Sequence, residues 1–189
     1  RHIHPQVFEM KESQVDKKFE LTGVSKMGRM GVTVHQIRAT EDIPARGIRK
    51  GEVGGWVESE VLSNGDARVS GNAQVFGDAR VFGDARVFGD ARVFGNARVS
   101  GDAQVEKSWH YIAINPIGSE GVTVTLARKK NGKHILNVGC WAGTLGTLMA
   151  EVKRRRERWA ADEATQEVWM AQYKALKALG KATVSRWED

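Results

Sequence analysis

Five arginines, Arg68, Arg80, Arg86, Arg92 and Arg98, fall at multiples of six residues from one another. A guanidinium is a planar fork of donors that matches the paired oxygens of a phosphate or a carboxylate, so rows of them could grip an anionic ligand or an acidic partner. The plainer reading is a solvated face balanced by Asp78, Asp84 and Asp90. A second basic group divides between Arg128, Lys129, Lys130 and Lys133, and the dense run Lys153, Arg154, Arg155, Arg156 and Arg158. It reads either as solvated surface or as a contact for nucleic acid. Aromatic side chains that could stack bases are scarce around the first of these stretches, and no helix-turn-helix or zinc-finger spacing is present.

Residues that do covalent chemistry are sparse. The histidines are His2, His4, His35, His110 and His134, and none lies between residues 65 and 106. The single cysteine, Cys140, excludes a disulfide framework and a CxxC knuckle, and beside Trp141 it reads as a small buried hydrophobe. The stretch Gly23–Gly31 lacks the Gly-Lys-Ser/Thr ending of a phosphate-binding loop, and no Gly-x-Ser-x-Gly elbow occurs. The expectation is a protein with no catalytic residue, no metal and no cofactor.

The element that positions the arginines is a repeat. Residues 65–106 are seven consecutive hexads: GDARVS, GNAQVF, GDARVF, GDARVF, GDARVF, GNARVS and GDAQVE. A short fixed period points to a β-helix. In each hexad Ala-Arg/Gln-Val forms a short strand with alternating faces, and Gly-Asp/Asn supplies the corner. Three hexads then close one triangular coil, with the valines and alanines inside. Residues eighteen apart stack on one wall, which places Arg68 under Arg86, Arg80 under Arg98, Gln74 under Arg92 and Phe76 under Phe94. By the same alternation Phe76, Phe82, Phe88 and Phe94 lie outside. A monomer seldom leaves such apolar rows bare, so the C-terminal helices, another subunit or both are expected to cover them. Val57 falls in register with the repeat valines and extends the coil backwards. Trp56 and Trp109 flank it as end plugs.

Around the coil, residues 1–16 form a polar arm and residues 17–56 a strand–turn–strand unit that caps it. Residues 57–106 are the β-helix, and residues 107–189 a β-hairpin followed by two helices. Val122–Leu126 and Lys133–Val138 are joined by the turn signal Asn131-Gly132. Thr144 is expected to cap the first helix, whose apolar positions are Leu145, Leu148, Met149, Val152 and Trp159. The second covers about 163–180 and ends at Gly180. Its stripe is Trp169, Tyr173 and Leu176, with Val168, Ala175 and Leu179 beside it. The fold class is therefore mainly β with α. Charge follows the same division. Residues 1–56 hold ten Lys/Arg against seven Asp/Glu, residues 57–106 five against eight, and residues 107–189 fourteen against eight. A uniform nucleic-acid coat does not fit that distribution. No apolar run reaches the ~20 residues of a membrane span, and the N-terminus has no apolar leader core, which sets the expectation of a cytoplasmic protein.

An aliphatic residue followed four positions later by a small one, as in Val81 and Ala85, resembles the hexapeptide of left-handed β-helix proteins. That resemblance implies the hand of the coil and favours a homotrimer. Gly51–Ser59, Asn115–Ser119 and Gly139–Leu145 together resemble a group of phage- and prophage-encoded hexapeptide-repeat proteins without a settled biochemical role. This implies a host-cell cytoplasmic setting. Acyltransferases and γ-type carbonic anhydrases on the same fold use histidines of the coils, which are missing here.

Two functional readings stand. One is a non-catalytic, oligomeric phage protein for counter-defence or host takeover, which occupies a host protein or sequesters a small anionic, nucleotide-like ligand. The other is a nucleic-acid-associated protein acting through the basic helix and hairpin. A degenerate acyltransferase is a distant third.

Overall fold

The computed structural model describes residues 18–28, 30–59 and 67–188. The expected arm at 1–16 lies outside them. The chain is mainly β with two helices, arranged as several short sheets, and none of these closes into a barrel.

The repeat folds as its period requires. Strands β4 (Arg68–Val69), β5 (Gln74–Val75), β6 (Arg80–Val81), β7 (Arg86–Val87), β8 (Arg92–Val93), β9 (Arg98–Val99) and β10 (Gln104–Val105) are each two residues long. They stack in parallel eighteen residues apart, as β4-β7-β10, β5-β8 and β6-β9, which makes three walls. Every described alanine and valine of the repeat is at most 2% exposed. Full burial of a valine stabilises by about 1.5–3 kcal/mol, so this column is what holds the coil together. The corner glycines Gly71, Gly77, Gly83, Gly89, Gly95 and Gly101 have φ between 61° and 67°, which a side chain would strain.

The N-terminal unit is fused to the coil through its backbone. Strands β1 (Phe19–Met27), β2 (Thr33–Ala39) and β3 (Val53–Val57) pair antiparallel in sequence, and β3 then runs parallel onto β5. The result is one five-stranded sheet, β1-β2-β3-β5-β8. Val57 stacks on Val75 and is fully buried, continuing the inner column as its register implied. Gly54 and Gly55 permit the close approach. A Cβ on Gly54 would lie 2.8 Å from Ile37 Cγ1, and one on Gly55 would lie 2.6 Å from Val69 Cγ1.

After the coil, β11 (Tyr111–Ile117), β12 (Val122–Arg128), β13 (His134–Val138) and β14 (Trp141–Gly143) form an antiparallel meander. The hairpin at Asn131-Gly132 is as expected, while β11 and β14 add a strand on each side of it. Helices α1 (Leu148–Arg156) and α2 (Glu163–Ser185) pack on this sheet. Their core holds Ile117, Val124, Leu126, Leu136, Leu148 and Leu176, separate from the Val/Ala column.

Several expectations about the flanks need correction. α1 starts at Leu148, later than a cap at Thr144 implied, because β14 runs to Gly143 and residues 144–147 make the turn. The Thr144 carbonyl accepts the Leu148 N–H at 3.0 Å. Trp159 lies beyond α1 and packs edge-on against Trp169 at 5.3 Å. Gly180 does not end α2 but sits inside it, where a Cβ would lie 2.5 Å from Leu145 Cδ2. Asp162, which the sequence reading passed over, caps α2 by accepting the Thr165 N–H at 2.7 Å. Val168 and Leu179 face outward, 57% and 49% exposed. The apolar core under the helices contains none of the coil's phenylalanines. Neither tryptophan plugs the coil. Trp56 stands on the outer row beside Gln74, and Trp109 is 46% exposed. Ile37 closes one end, and Tyr111 and Ala127 the other. Among the described residues no helix is long and apolar enough to cross a membrane.

Candidate functional site

The arginine ladders form with the expected register. Arg68 pairs with Arg86, Arg80 with Arg98, and Gln74 with Arg92. Adjacent rungs are about 4.8 Å apart, so each arginine pair brings like charges close together. Arg68 gives its guanidinium to Glu52 at 3.0 Å. Arg80, Arg86, Arg92 and Arg98 have no carboxylate partner among the described residues. Among the described residues, no ion pair joins Asp78, Asp84 or Asp90 to these four arginines. Asp84 binds Arg46 at 2.7 Å, and Asp90 accepts from the Asn72 amide one coil away. The corner directs these carboxylates along the edge, away from the wall. Arg80 and Arg98 are exposed, whereas Arg86 and Arg92 are half-buried. On the wall of Arg92, its Nε and Gln74 Oε1 are buried without partners.

The phenylalanines differ from one another. Phe76 is buried and Phe94 is 42% exposed, although their rings stack at 5.3 Å with planes 8° apart. Phe82 and Phe88 are half-buried.

The last coil is closed by side chains that the sequence reading did not single out. Throughout the coil, strand N–H groups donate to carbonyls one coil onward, as Gln74 does to Ala91 at 3.0 Å and Phe76 to Val93 at 3.1 Å. Beyond the last coil there is no such carbonyl. The Arg92 N–H donates instead to Ser108 Oγ at 3.1 Å, the Phe94 N–H to the Tyr111 hydroxyl at 3.3 Å, and the Arg98 N–H to Thr125 Oγ1 at 2.9 Å. Asn137 completes the seal. It donates to the Arg98 carbonyl at 3.4 Å and accepts from Ser100 Oγ at 3.1 Å. A cleft of about 520 Å³ opens between this end of the coil and β11 and β12, lined by Phe94, Asn96, Ser108, Tyr111, Asn115 and Thr123 among others.

The basic residues fall into two places. Lys129, Lys133 and His134 line an open cleft of about 600 Å³ at the hairpin tip, where Lys129 is paired with Asp102 at 2.8 Å. Lys130 is exposed beside it, and the Arg128 Nε is buried without a partner. On α1, Arg154 and Arg155 both bind Glu151 at 2.7 Å, and Arg156 binds Glu167 at 2.6 Å. The hydrogen bonds from Arg154 and Arg155 hold the Glu151 carboxyl down at about 2. Lys153 and Arg158 are exposed. None of the α1 cations lines the hairpin cleft.

Both described C-terminal histidines accept backbone N–H groups. His134 Nε2 accepts the Leu145 N–H at 3.0 Å, and His110 Nδ1 accepts the Glu106 N–H at 3.4 Å. Burial pushes the pKa of each down, aided by Lys129 at His134 and by Arg128 at His110. Cys140, expected to be buried, is exposed, with its Sγ 4.0 Å from an Arg155 nitrogen. Among the described residues no group of three His, Cys, Asp or Glu is arranged to hold a metal ion.

Three walls of two-residue parallel strands define a β-solenoid. The family model of the YdcK β-solenoid repeat matches residues 73–93, 85–101 and 91–106, which lie within the coil and include neither flank. No curated protein and no solved structure matches the chain.

Proposed function

We propose that this protein is a non-catalytic binding protein that holds an anionic partner on the outer walls of its solenoid. The observation that carries the reading is the Arg80–Arg98 ladder: two exposed guanidiniums in adjacent rungs, neither with a carboxylate partner among the described residues. A phosphate or carboxylate seated across both would relieve their mutual repulsion and use their planar forks. The occupant is a small anionic, nucleotide-like ligand or the acidic surface of a host protein. In this reading the coil is left-handed and the protein is phage-encoded, acting in counter-defence or host takeover in the host cytoplasm. These attributes rest on the resemblance of the hexads and of the flanking Gly-Trp segments.

Assembly belongs to the same proposal. Half-exposed Phe82 and Phe88 on two walls, with Val168 and Leu179 outward on α2, are apolar surface suited to a closed oligomer, for which a trimer is favoured. The nucleic-acid alternative has less support, because Arg154, Arg155 and Arg156 are engaged by carboxylates of their own chain.

Calorimetric titration with ATP and with pyrophosphate tests the ladder. Saturable binding that weakens at least about ten-fold in Arg80→Gln and in Arg98→Gln is expected. Equal affinity in both variants and the parent would sink the proposal. A monomer mass by light scattering at micromolar concentration would sink the trimer.

A further inference from the structure

The aromatic ladder is one rung short. Phe76 and Phe94 stack face to face along the coil, and in a continuing solenoid the next rung on this wall, eighteen residues on, would be residue 112. That rung is displaced. In a regular coil the Phe94 N–H would meet the backbone carbonyl of residue 111, but it meets the Tyr111 side-chain hydroxyl. The backbone of β11 therefore stands off from the wall by the length of a tyrosine side chain. The space left over Phe94 is the cleft of about 520 Å³, with Ile112 in its wall.

Phe76 covers one face of the Phe94 ring, so the 42% of Phe94 that remains exposed is its other face and its edge. Around that face the cleft presents hydrogen-bonding groups and no charge. The side-chain amides of Asn96 and Asn115 have no hydrogen-bond partner among the described residues, and the Ser108 hydroxyl, which accepts from Arg92, still has a proton to donate. The volume lies within the ~300–1,000 Å³ of small-molecule sites. A flat ring face, two free amides and an uncharged wall together select for an uncharged planar group with donors and acceptors on its rim.

We infer that this cleft is a binding site for a planar heteroaromatic ring, of the kind found in purine and pyrimidine bases, which stacks on Phe94 as the third rung of the ladder. Asn96 and Asn115 read its edge. The site stands apart from the arginine ladders: it takes an uncharged ring, and Arg80 and Arg98 do not line it.

The test uses the full chain with adenosine, guanosine, cytidine and uridine as probes, followed by saturation-transfer NMR and titration. At least one nucleoside is expected to bind saturably, with affinity at least about ten-fold lower in Phe94→Leu, which keeps an apolar side chain but removes the ring face. Asn96→Ala and Asn115→Ala are expected to change the preference among the four bases more than the overall affinity. Nucleoside binding is read without ATP or pyrophosphate present, so this site and the anion ladder can fail separately. A ten-residue single strand that binds more tightly than the free nucleoside would identify the ring as part of a strand; equal or weaker binding would identify a free molecule. Thermal melts of each variant check folding. Absence of binding by all four nucleosides at millimolar concentration, or parental affinity in a folded Phe94→Leu, would falsify the inference.

Discussion

The two ends of the solenoid are finished in different ways. At the N-terminal end the coil becomes an ordinary sheet. β3 pairs parallel with β5 on one edge and antiparallel with β2 on the other, and the Trp56 and Glu58 N–H groups donate to the carbonyls of Ala73 and Val75. At the C-terminal end an antiparallel bridge joins Ala103 to Lys129, and on the other two walls side-chain oxygens of Ser108, Tyr111 and Thr125 take the donors. The first junction depends on how closely two backbones can approach. The second depends on individual hydroxyl groups, so it can be dismantled one bond at a time. It is also the end at which a cleft opens.

Substitutions should separate the two. Gly55→Ala places a Cβ 2.6 Å from Val69 Cγ1 and 3.0 Å from the Ala73 carbonyl. It is expected to cost about 3 kcal/mol in urea denaturation and to melt coil and N-terminal unit together. Thr125→Val keeps the shape and removes the acceptor of the Arg98 N–H, which leaves a buried donor unpaired. The expected loss is about 1–2 kcal/mol, with hydrogen exchange accelerated at Arg98 and not at Trp56. Tyr111→Phe is milder, about 1 kcal/mol, because the Phe94 N–H lies beside the open cleft and water can replace the phenol.

The smallest effect is one of pH. His110 and His134 accept N–H bonds as neutral rings, and their pKa values are lowered on folding. The unfolded chain therefore binds these protons more readily than the folded one. Their contribution is complete above the unfolded value of about 6.5 and is lost as the pH falls below it. Hydrogen exchange between pH 7 and pH 5 is expected to show loosening at Glu106 and Leu145. Equal loosening along β1 and β2 would remove the distinction between the two ends.

The sequence reveals the coil because a six-residue period fixes walls, register and inner column together. From Val57 to Val105 the inward positions follow from counting. The arginine and phenylalanine stacks follow from the same count, since side chains eighteen apart share a wall whatever they are. What surrounds each row does not follow. Asp84 precedes Arg86 by two residues yet binds Arg46, because a corner redirects its side chain toward a neighbour distant in sequence. The closure at Ser108 and Tyr111 carries a faint signal, hydroxyl residues about one coil length after Arg92 and Phe94, but a side chain that replaces a carbonyl leaves no period. Gly180 misleads for a similar reason. A glycine near a helix end suggests a stop, and only the packed Leu145 shows that it is a notch.

The three walls also make the repeat a vernier between the units at its ends. Each hexad advances the chain by one wall, a third of a turn, and three hexads restore the starting direction. Inserting or deleting eighteen residues would shift the C-terminal unit by about 4.8 Å along the axis without rotating it. A change of six residues would swing the same unit to a different wall. Length and orientation are therefore set in separate steps by the number of hexads, with every corner and inner contact of the coil left as it was.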